Sequence, residues 1–315
     1  MKQFISTQDI DSVPKLVQIA KYFKASPHGK EHLGKNKTLG LLFFNSSLRT
    51  RLSTQKAAQN LGMNVLVMNV DEEGWKIEFD EGAVMNQGEQ EHLQEAAAVL
   101  SQYCDFIGVR SFASLTDREA DYEEKILRGF IRYAKKPVFS MESATRHPLQ
   151  SLADVLTVEE NKTVEKPKVV LSWAPHPLPL PQAVANSFLE WMKQTDCELV
   201  VTNPEGFDLS EEFTEGLEIV HDQCEALKNA DFVYAKNWSS FENYGATTDA
   251  FSDWTIDSRK MALTNRARFM HCLPVRRNVV VTDEVLNSEH SLVIEQANNR
   301  TFAAQAVLYK FLQDG

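Results

Sequence analysis

Short runs dense in aliphatic and β-branched residues alternate along the chain with longer stretches whose apolar positions recur at helical spacing. That alternation is the signature of parallel sheets whose strands are joined by helical crossovers. Strand-like runs fall at residues 38–44, 63–69, 105–109 and 137–141, with helical patterns at 50–61, 91–103 and 122–134. The second half repeats the rhythm with strand-like runs at 168–173, 198–202, 232–235, 269–271 and 292–294. No repeated sequence accompanies it, so the expectation is two similar α/β units rather than a solenoid.

A helix starting near His147, with Pro148 suited to its first turn, bridges the two units. A last helical stretch, 297–312, follows the final expected strand and is expected to return to the first unit. The predicted fold class is therefore α/β, two doubly wound parallel-sheet domains joined by bridging helices. The first covers 1–146 with the terminal stretch 297–315, and the second covers 147–296. Residues 173–181, WAPHPLPLP, hold four prolines and read as an irregular loop after a strand.

Composition narrows the class. The chain has 315 residues, 43% of them hydrophobic and 24% charged, which excludes disorder over most of its length. Its 33 Lys and Arg against 44 Asp and Glu leave a net charge of −11, which argues against nucleic acid or an anionic membrane as a partner. Any anion-binding site must then be locally concentrated. The N-terminus lacks the pattern of a signal peptide, and no run approaches the ~18 apolar residues that span a bilayer. Cys104, Cys197, Cys224 and Cys272 are far apart, which fits reduced thiols in a cytoplasmic protein. His28 and His32 are four apart, but Pro27 and Gly29 interrupt the helix that would make them a metal-ligand pair.

Ligands of open α/β sheets bind beyond the carboxyl ends of the strands. The residues there are unusually basic. Asn45-Ser46-Ser47-Leu48-Arg49-Thr50-Arg51 runs from a strand into a helix, where hydroxyls cap free N–H groups and the helix end favours an anion. Two arginines at that positive end are awkward unless a phosphate binds there or carboxylates pair with them. Arg110 ends another apolar strand. Glu142 is followed by Arg146-His147-Pro148-Leu149-Gln150, and His271-Cys272-Leu273-Pro274 by Arg276 and Arg277.

These residues resemble the transcarbamylase family. Ser47 to Arg51 is similar to its carbamoyl phosphate signature S-x-R-T-R, His147 to Gln150 to H-P-x-Q, and His271 to Pro274 to the H-C-L-P of its ornithine branch. Glu295 to Arg300 resembles a late segment ending in a substrate-binding arginine. The likeness implies a catalytic homotrimer with active sites shared between subunits. It places Ser47, Leu48, Arg49 and Thr50 at the phosphate of carbamoyl phosphate, and Arg110 at phosphate and carbonyl. His147 and Arg300 would polarise that carbonyl, while Gln150 and the backbone carbonyls of Cys272 and Leu273 would hold the carbamoyl NH2. Arg49, Thr50, Arg110, His147, Cys272 and Arg300 are thus the expected catalytic set, with Arg51 supporting the loop. An amine attacks, an oxyanion develops and phosphate leaves; positioned cations and donors serve this without a metal or cofactor.

The acceptor is read from departures. Ornithine transcarbamylases carry an aspartate, followed by Ser-Met-Gly, after the strand at 232–235; here Lys236 stands there and Ser-Met-Gly is missing. A lysine repels a free α-ammonium by on the order of 1 kcal/mol, a penalty an acylated nitrogen escapes. Glu73-Gly74-Trp75 resembles the acylornithine-branch loop whose tryptophan reaches a neighbouring subunit. The acidic setting of Trp75 predicts an exposed role rather than a buried anchor. Residues 173–177 resemble that branch's proline-rich loop, and Glu142 and Arg276 match residues holding the acylornithine nitrogen and carboxylate. A succinyl carboxylate could meet Lys236, His176 and Arg276. Acetyl-specific relatives carry lysine where this chain has Val280 and glutamate at Gln90, succinyl-specific ones proline at 90, and both a basic residue at Leu178. The resulting expectation is N-succinylornithine as acceptor, with N-acetylornithine and then ornithine as alternatives. An inactive anion-binding regulatory relative is the non-enzyme alternative, opposed by the presence of Thr50, Arg110, His147 and Arg300. A nucleotide-binding enzyme is disfavoured because no G-x-G-x-x-G follows a strand.

Overall fold

The structure, a computed structural model, describes residues 1–70, 75–86, 88–246, 248 and 250–314. The chain forms two compact units. One comprises residues 1–114, 119–149 and 300–315; the other comprises 115–118 and 150–299.

The strands, in chain order, are β1 (Gln3–Phe4), β2 (Thr38–Phe43), β3 (Asn64–Asn69), β4 (Ile77–Glu78), β5 (Glu91–His92), β6 (Phe106–Arg110), β7 (Val138–Glu142), β8 (Lys168–Trp173), β9 (Glu198–Thr202), β10 (Glu218–Val220), β11 (Phe232–Lys236) and β12 (Arg268–Met270). The first unit holds a parallel sheet in the order β1-β7-β6-β2-β3, and β4 pairs with β5 alone. Every residue of β6 and β7 is buried, as expected for strands covered on both faces. The second unit repeats the plan as β10-β9-β8-β11-β12, also parallel. In each sheet the order reverses beside its central strand, between β2 and β6 and between β8 and β11. Such switch points open a crevice at the strands' carboxyl ends.

The helix Val13–Ala25 has no counterpart among the runs read from sequence, although its signals are present: Ser12 caps it and Pro14 lies in its first turn. Ala183–Met192 was likewise not anticipated, because it is apolar nearly all round and lacks a clear amphipathic period. The strand expected at 292–294 is not one. Ser291 makes a single bridge to Phe269, and Val293 then opens the 22-residue helix Val293–Asp314. A short apolar run is ambiguous between strand and buried helix, and the periodic apolar positions that follow decide for the helix. The helical pattern at 122–134 is split by Glu124, whose φ is 49°, into Arg118–Glu123 and Lys125–Tyr133.

The terminal helix packs within the first unit. Phe311 lies 5.7 Å from Phe106 and 6.1 Å from Phe139, ring centre to ring centre, and Gln305 accepts from Asn60 Nδ2 at 3.0 Å.

Candidate active site

At the end of β2 the chain turns into the helix Leu48–Asn60. Ser47 is extended, and its Oγ accepts the Thr50 N–H at 3.3 Å, so the N-terminus is capped by its own sequence. Asn45 Oδ1 accepts the Phe112 N–H at 2.6 Å. Arg110, buried at the end of β6, donates through Nη1 to the carbonyls of Asn45 (2.8 Å) and Ser46 (3.0 Å) and through Nη2 to Glu142 Oε2 (3.1 Å). Its guanidinium also lies 4.0 Å from the centre of the Phe112 ring. A buried guanidinium needs such company, because desolvation is offset only when charge and donors are met.

Glu142 ends β7, and the short loop 143–146 returns the chain to His147. Its Nε2 lies 3.5 Å from Glu142 Oε2 and 3.5 Å from Arg300 Nη2. Arg300 in turn donates from Nη2 to Thr50 Oγ1 at 2.6 Å. The first unit therefore gathers Ser47, Thr50, Arg110, Glu142, His147 and Arg300 from three strand ends and the terminal helix. Burial, then the charges of Arg300 and Arg110, hold the His147 imidazole well below its usual pKa, so it is neutral near pH 7. The set is cationic with one carboxylate, suited to an anion with a polarisable carbonyl rather than to a metal cation.

Within the second unit, Gln150 donates from Nε2 to Asp154 Oδ1 (2.7 Å), as does Gln296 (2.7 Å), whose Oε1 accepts the backbone N–H of His271 at 2.9 Å. All three side chains of this network, Gln150, Asp154 and Gln296, are fully buried. With Nε2 committed to a carboxylate, Gln150 presents Oε1 as its acceptor end. Leu273 adopts a φ of 57°, and its N–H donates to His271 Nδ1 at 2.9 Å. A bulky non-glycine residue held left-handed costs about 1–3 kcal/mol and marks a constrained turn.

Lys236, the last residue of β11, is buried beside Trp173 in register and donates from Nζ to the Asn237 carbonyl at 3.0 Å. His176 is half-buried; burial foremost, with Lys236 and Arg276 adding, lowers its pKa against the opposing hydrogen bond to the Leu178 carbonyl. Lys236, His176 and exposed Arg276 are thus electrostatic neighbours in this unit.

Other expected positions fall differently. Trp75 is half-buried against the core of the first unit, and its Nε1 donates to Glu91 Oε2 at 2.8 Å, so it is not the exposed side chain its acidic setting predicted. Glu73 and Gly74 lie outside the described residues. Gln90 is exposed, its N–H bonded to the Lys76 carbonyl at 2.9 Å. Arg51 donates to Asn69 and covers the Phe43 ring at 4.6 Å, a supporting role. Asn45, Asp154 and Gln296 were missed. Only the four-residue step from Gln150 to Asp154 on one helix hinted at any of them.

Residues 2–160 match the aspartate/ornithine carbamoyltransferase carbamoyl-P binding domain, and residues 181–311 match the Asp/Orn binding domain of the same name. The chain is 52% identical over 315 residues to an N-succinylornithine carbamoyltransferase of Bacteroides thetaiotaomicron, covering 99% of each. It is 37% identical to an N-acetylornithine carbamoyltransferase of Xanthomonas campestris pv. campestris, covering 98% of this chain and 97% of the relative. A solved variant of N-acetyl-L-ornithine transcarbamylase, complexed with carbamyl phosphate and N-succinyl-L-norvaline, aligns with a TM-score of 0.94 at 36% identity, over 99% of this chain and 100% of that one. With both domain types matched in order and relatives aligned along nearly their whole length, the chain belongs to the aspartate/ornithine carbamoyltransferase family.

Proposed function

We propose that this carbamoyltransferase carries the carbamoyl group of carbamoyl phosphate to the δ-amine of an Nα-acylated ornithine, N-succinylornithine in preference to N-acetylornithine. The products are an N-acylcitrulline and phosphate, a step in arginine biosynthesis. The observation that carries the reaction is the buried set Thr50, Arg110, Glu142, His147 and Arg300 within one unit. The acceptor rests on Lys236, cationic and buried at the end of β11 with His176 and Arg276 near it.

Ser47, Leu48, Arg49 and Thr50 take the phosphate at a helix N-terminus, where N–H groups and dipole favour the anion. Arg110 adds a cation already oriented by two carbonyls and Glu142. The amine lone pair attacks the carbamoyl carbon, negative charge gathers on the carbonyl oxygen, and the bond to phosphate oxygen breaks as the nitrogen's proton passes to the departing phosphate. His147, neutral, and Arg300 face that oxygen; one well-placed donor contributes roughly 3 kcal/mol to such a transition state. Gln150 Oε1 and the carbonyls of Cys272 and Leu273 accept from the carbamoyl NH2. Glu142 and Arg276 take the acylornithine nitrogen and carboxylate, and Lys236 and His176 the acyl group, with Gln90 at its margin.

The enzyme works as a cytoplasmic homotrimer. Leu52 and Leu66, 56% and 50% exposed in the single chain, supply apolar surface for association. An acceptor panel of ornithine, N-acetylornithine and N-succinylornithine with carbamoyl phosphate, read by the citrulline-type product, tests the reading. N-succinylornithine is expected to give the highest kcat/KM. Equal or better use of N-acetylornithine would reverse the succinyl preference, and use of ornithine alone would overturn the acyl acceptor.

A further inference from the structure

Glu124 stands out on two independent grounds. Its backbone is left-handed (φ 49°, ψ 40°) at the N-cap of the helix Lys125–Tyr133, yet its side chain makes no capping hydrogen bond there. Instead the carboxylate is buried and its Oε1 accepts three donors from one loop: the Ser143 hydroxyl, the Thr145 N–H at 3.1 Å and the Thr145 hydroxyl at 2.6 Å. Because the Ser143 hydroxyl proton goes to Glu124, Ser143 Oγ is the acceptor for the Arg146 N–H at 3.1 Å. The Ser143 N–H closes the turn on the Arg146 carbonyl at 2.8 Å. Three bonds from loop 143–146 therefore converge on a single carboxylate oxygen.

That loop separates Glu142 from His147. These bonds, with those of Ser143 Oγ to the Arg146 carbonyl at 3.2 Å and of Arg146 Nη1 to Thr145 Oγ1 at 3.1 Å, lie on the step from strand end to helix start, after which His147 comes within 3.5 Å of both Glu142 and Arg300. An unfavourable backbone conformation persists only where its surroundings over-determine it, and such positions cluster at functional sites. We propose that Glu124 is a positioning residue for the carbonyl-polarising group, holding loop 143–146 so that His147 keeps its place beside Glu142 and Arg300. The role of His147 in this statement rests on the reaction proposed above.

The test uses the full-length protein with Glu124→Ala, Glu124→Gln, His147→Gln and the Glu124→Ala/His147→Gln pair. Displacing a reacting group by about 1 Å can cost on the order of a hundredfold in rate, so Glu124→Ala is expected to lower kcat by about ten- to a hundredfold. Acceptor KM should change little. Glu124→Gln, which keeps Oε1, should recover most of the loss. In the His147→Gln background Glu124→Ala should cost little more, since both act through one group. A folded Glu124→Ala with normal kcat, or losses that multiply in the pair, overturns the proposal. Should Glu124→Ala not fold, Thr145→Val with Ser143→Ala removes the same bonds from the loop side, and the same losses are expected. Nitrogen NMR of the His147 ring is read in parallel, and its resonances should move in Glu124→Ala and not in Glu124→Gln; unchanged resonances in both overturn the proposal. This readout needs no turnover, so a wild-type protein that transfers no carbamoyl group would refute the reaction while leaving the positioning decided separately.

Discussion

Arg300 Nη2 donates to the Thr50 hydroxyl at 2.6 Å, joining residues 250 positions apart in the chain. The bond aims a guanidinium from the terminal helix at the capped N-terminus of Leu48–Asn60. Thr50→Val keeps the volume and removes the acceptor. A hydrogen bond to a charged group contributes about 1.5–3 kcal/mol, so kcat/KM should fall by about ten- to a hundredfold. Steady-state kinetics with carbamoyl phosphate varied checks it, and an unchanged kcat/KM would show that Arg300 is oriented by other contacts.

Arg49 lies in the first turn of the same helix, at the end whose partial positive charge repels cations by roughly 0.3–1 kcal/mol. Arg49→Ala should therefore leave thermal stability unchanged or slightly raised while turnover falls by about 10²–10³-fold. A melting curve beside a phosphate-release assay separates the two. Near-normal turnover would remove Arg49 from the phosphate site.

His147 gives a pH dependence with a definite sign. Its folded pKa lies well below the ordinary 6.5, because burial and two guanidinium groups disfavour the imidazolium. The unfolded chain then binds a proton that the folded chain refuses. His147's contribution to stability is complete above pH 6.5 and is lost as pH falls from there toward the lowered folded value. Wild-type protein should lose melting temperature over that range more steeply than His147→Gln. Parallel curves would mean that the ring titrates normally.

Lys236→Met removes the buried charge at the end of β11 while keeping most of the side chain. If Lys236 meets the succinyl carboxylate, the preference for N-succinylornithine over N-acetylornithine should shrink by about ten- to a hundredfold, the worth of a charge-assisted hydrogen bond. The ratio of kcat/KM values for the two acceptors measures it. A ratio that does not move assigns the tail to other groups.

Association is checked by light scattering. A homotrimer requires a mass of three chains of 35.7 kDa, and Leu66→Lys, which places a charge on exposed β3, should reduce both mass and activity. A fully active 35.7 kDa species would exclude shared sites.

What could be read from sequence, and what could not, divides by range of interaction. Periodicity placed β2, β8 and β9 closely because a buried parallel strand imposes its apolar run locally. It misread 292–294 because Leu292, Val293 and Ile294 satisfy a strand and a buried helix alike, and only the bridge of Ser291 to Phe269 followed by 22 helical residues decides between them. Trp75 was read from its acidic neighbours, whereas its partner, Glu91, is 16 residues away on a paired strand.

The motifs at Ser47–Thr50, His147–Gln150 and His271–Pro274 carried the family and the residue types its chemistry needs, because capping, strand ends and a proline-started helix are local devices. The working arrangement was not local. That Arg110 is held by Asn45, Ser46 and Glu142, that Asp154 accepts from Gln296, and that one oxygen of Glu124 accepts from the loop before His147 are contacts between segments apart in the chain. Sequence alone determined which charges this protein owns. Packing decided which of them are desolvated together, and desolvation is what makes a guanidinium strong, an imidazole neutral and a carboxylate a fixed anchor.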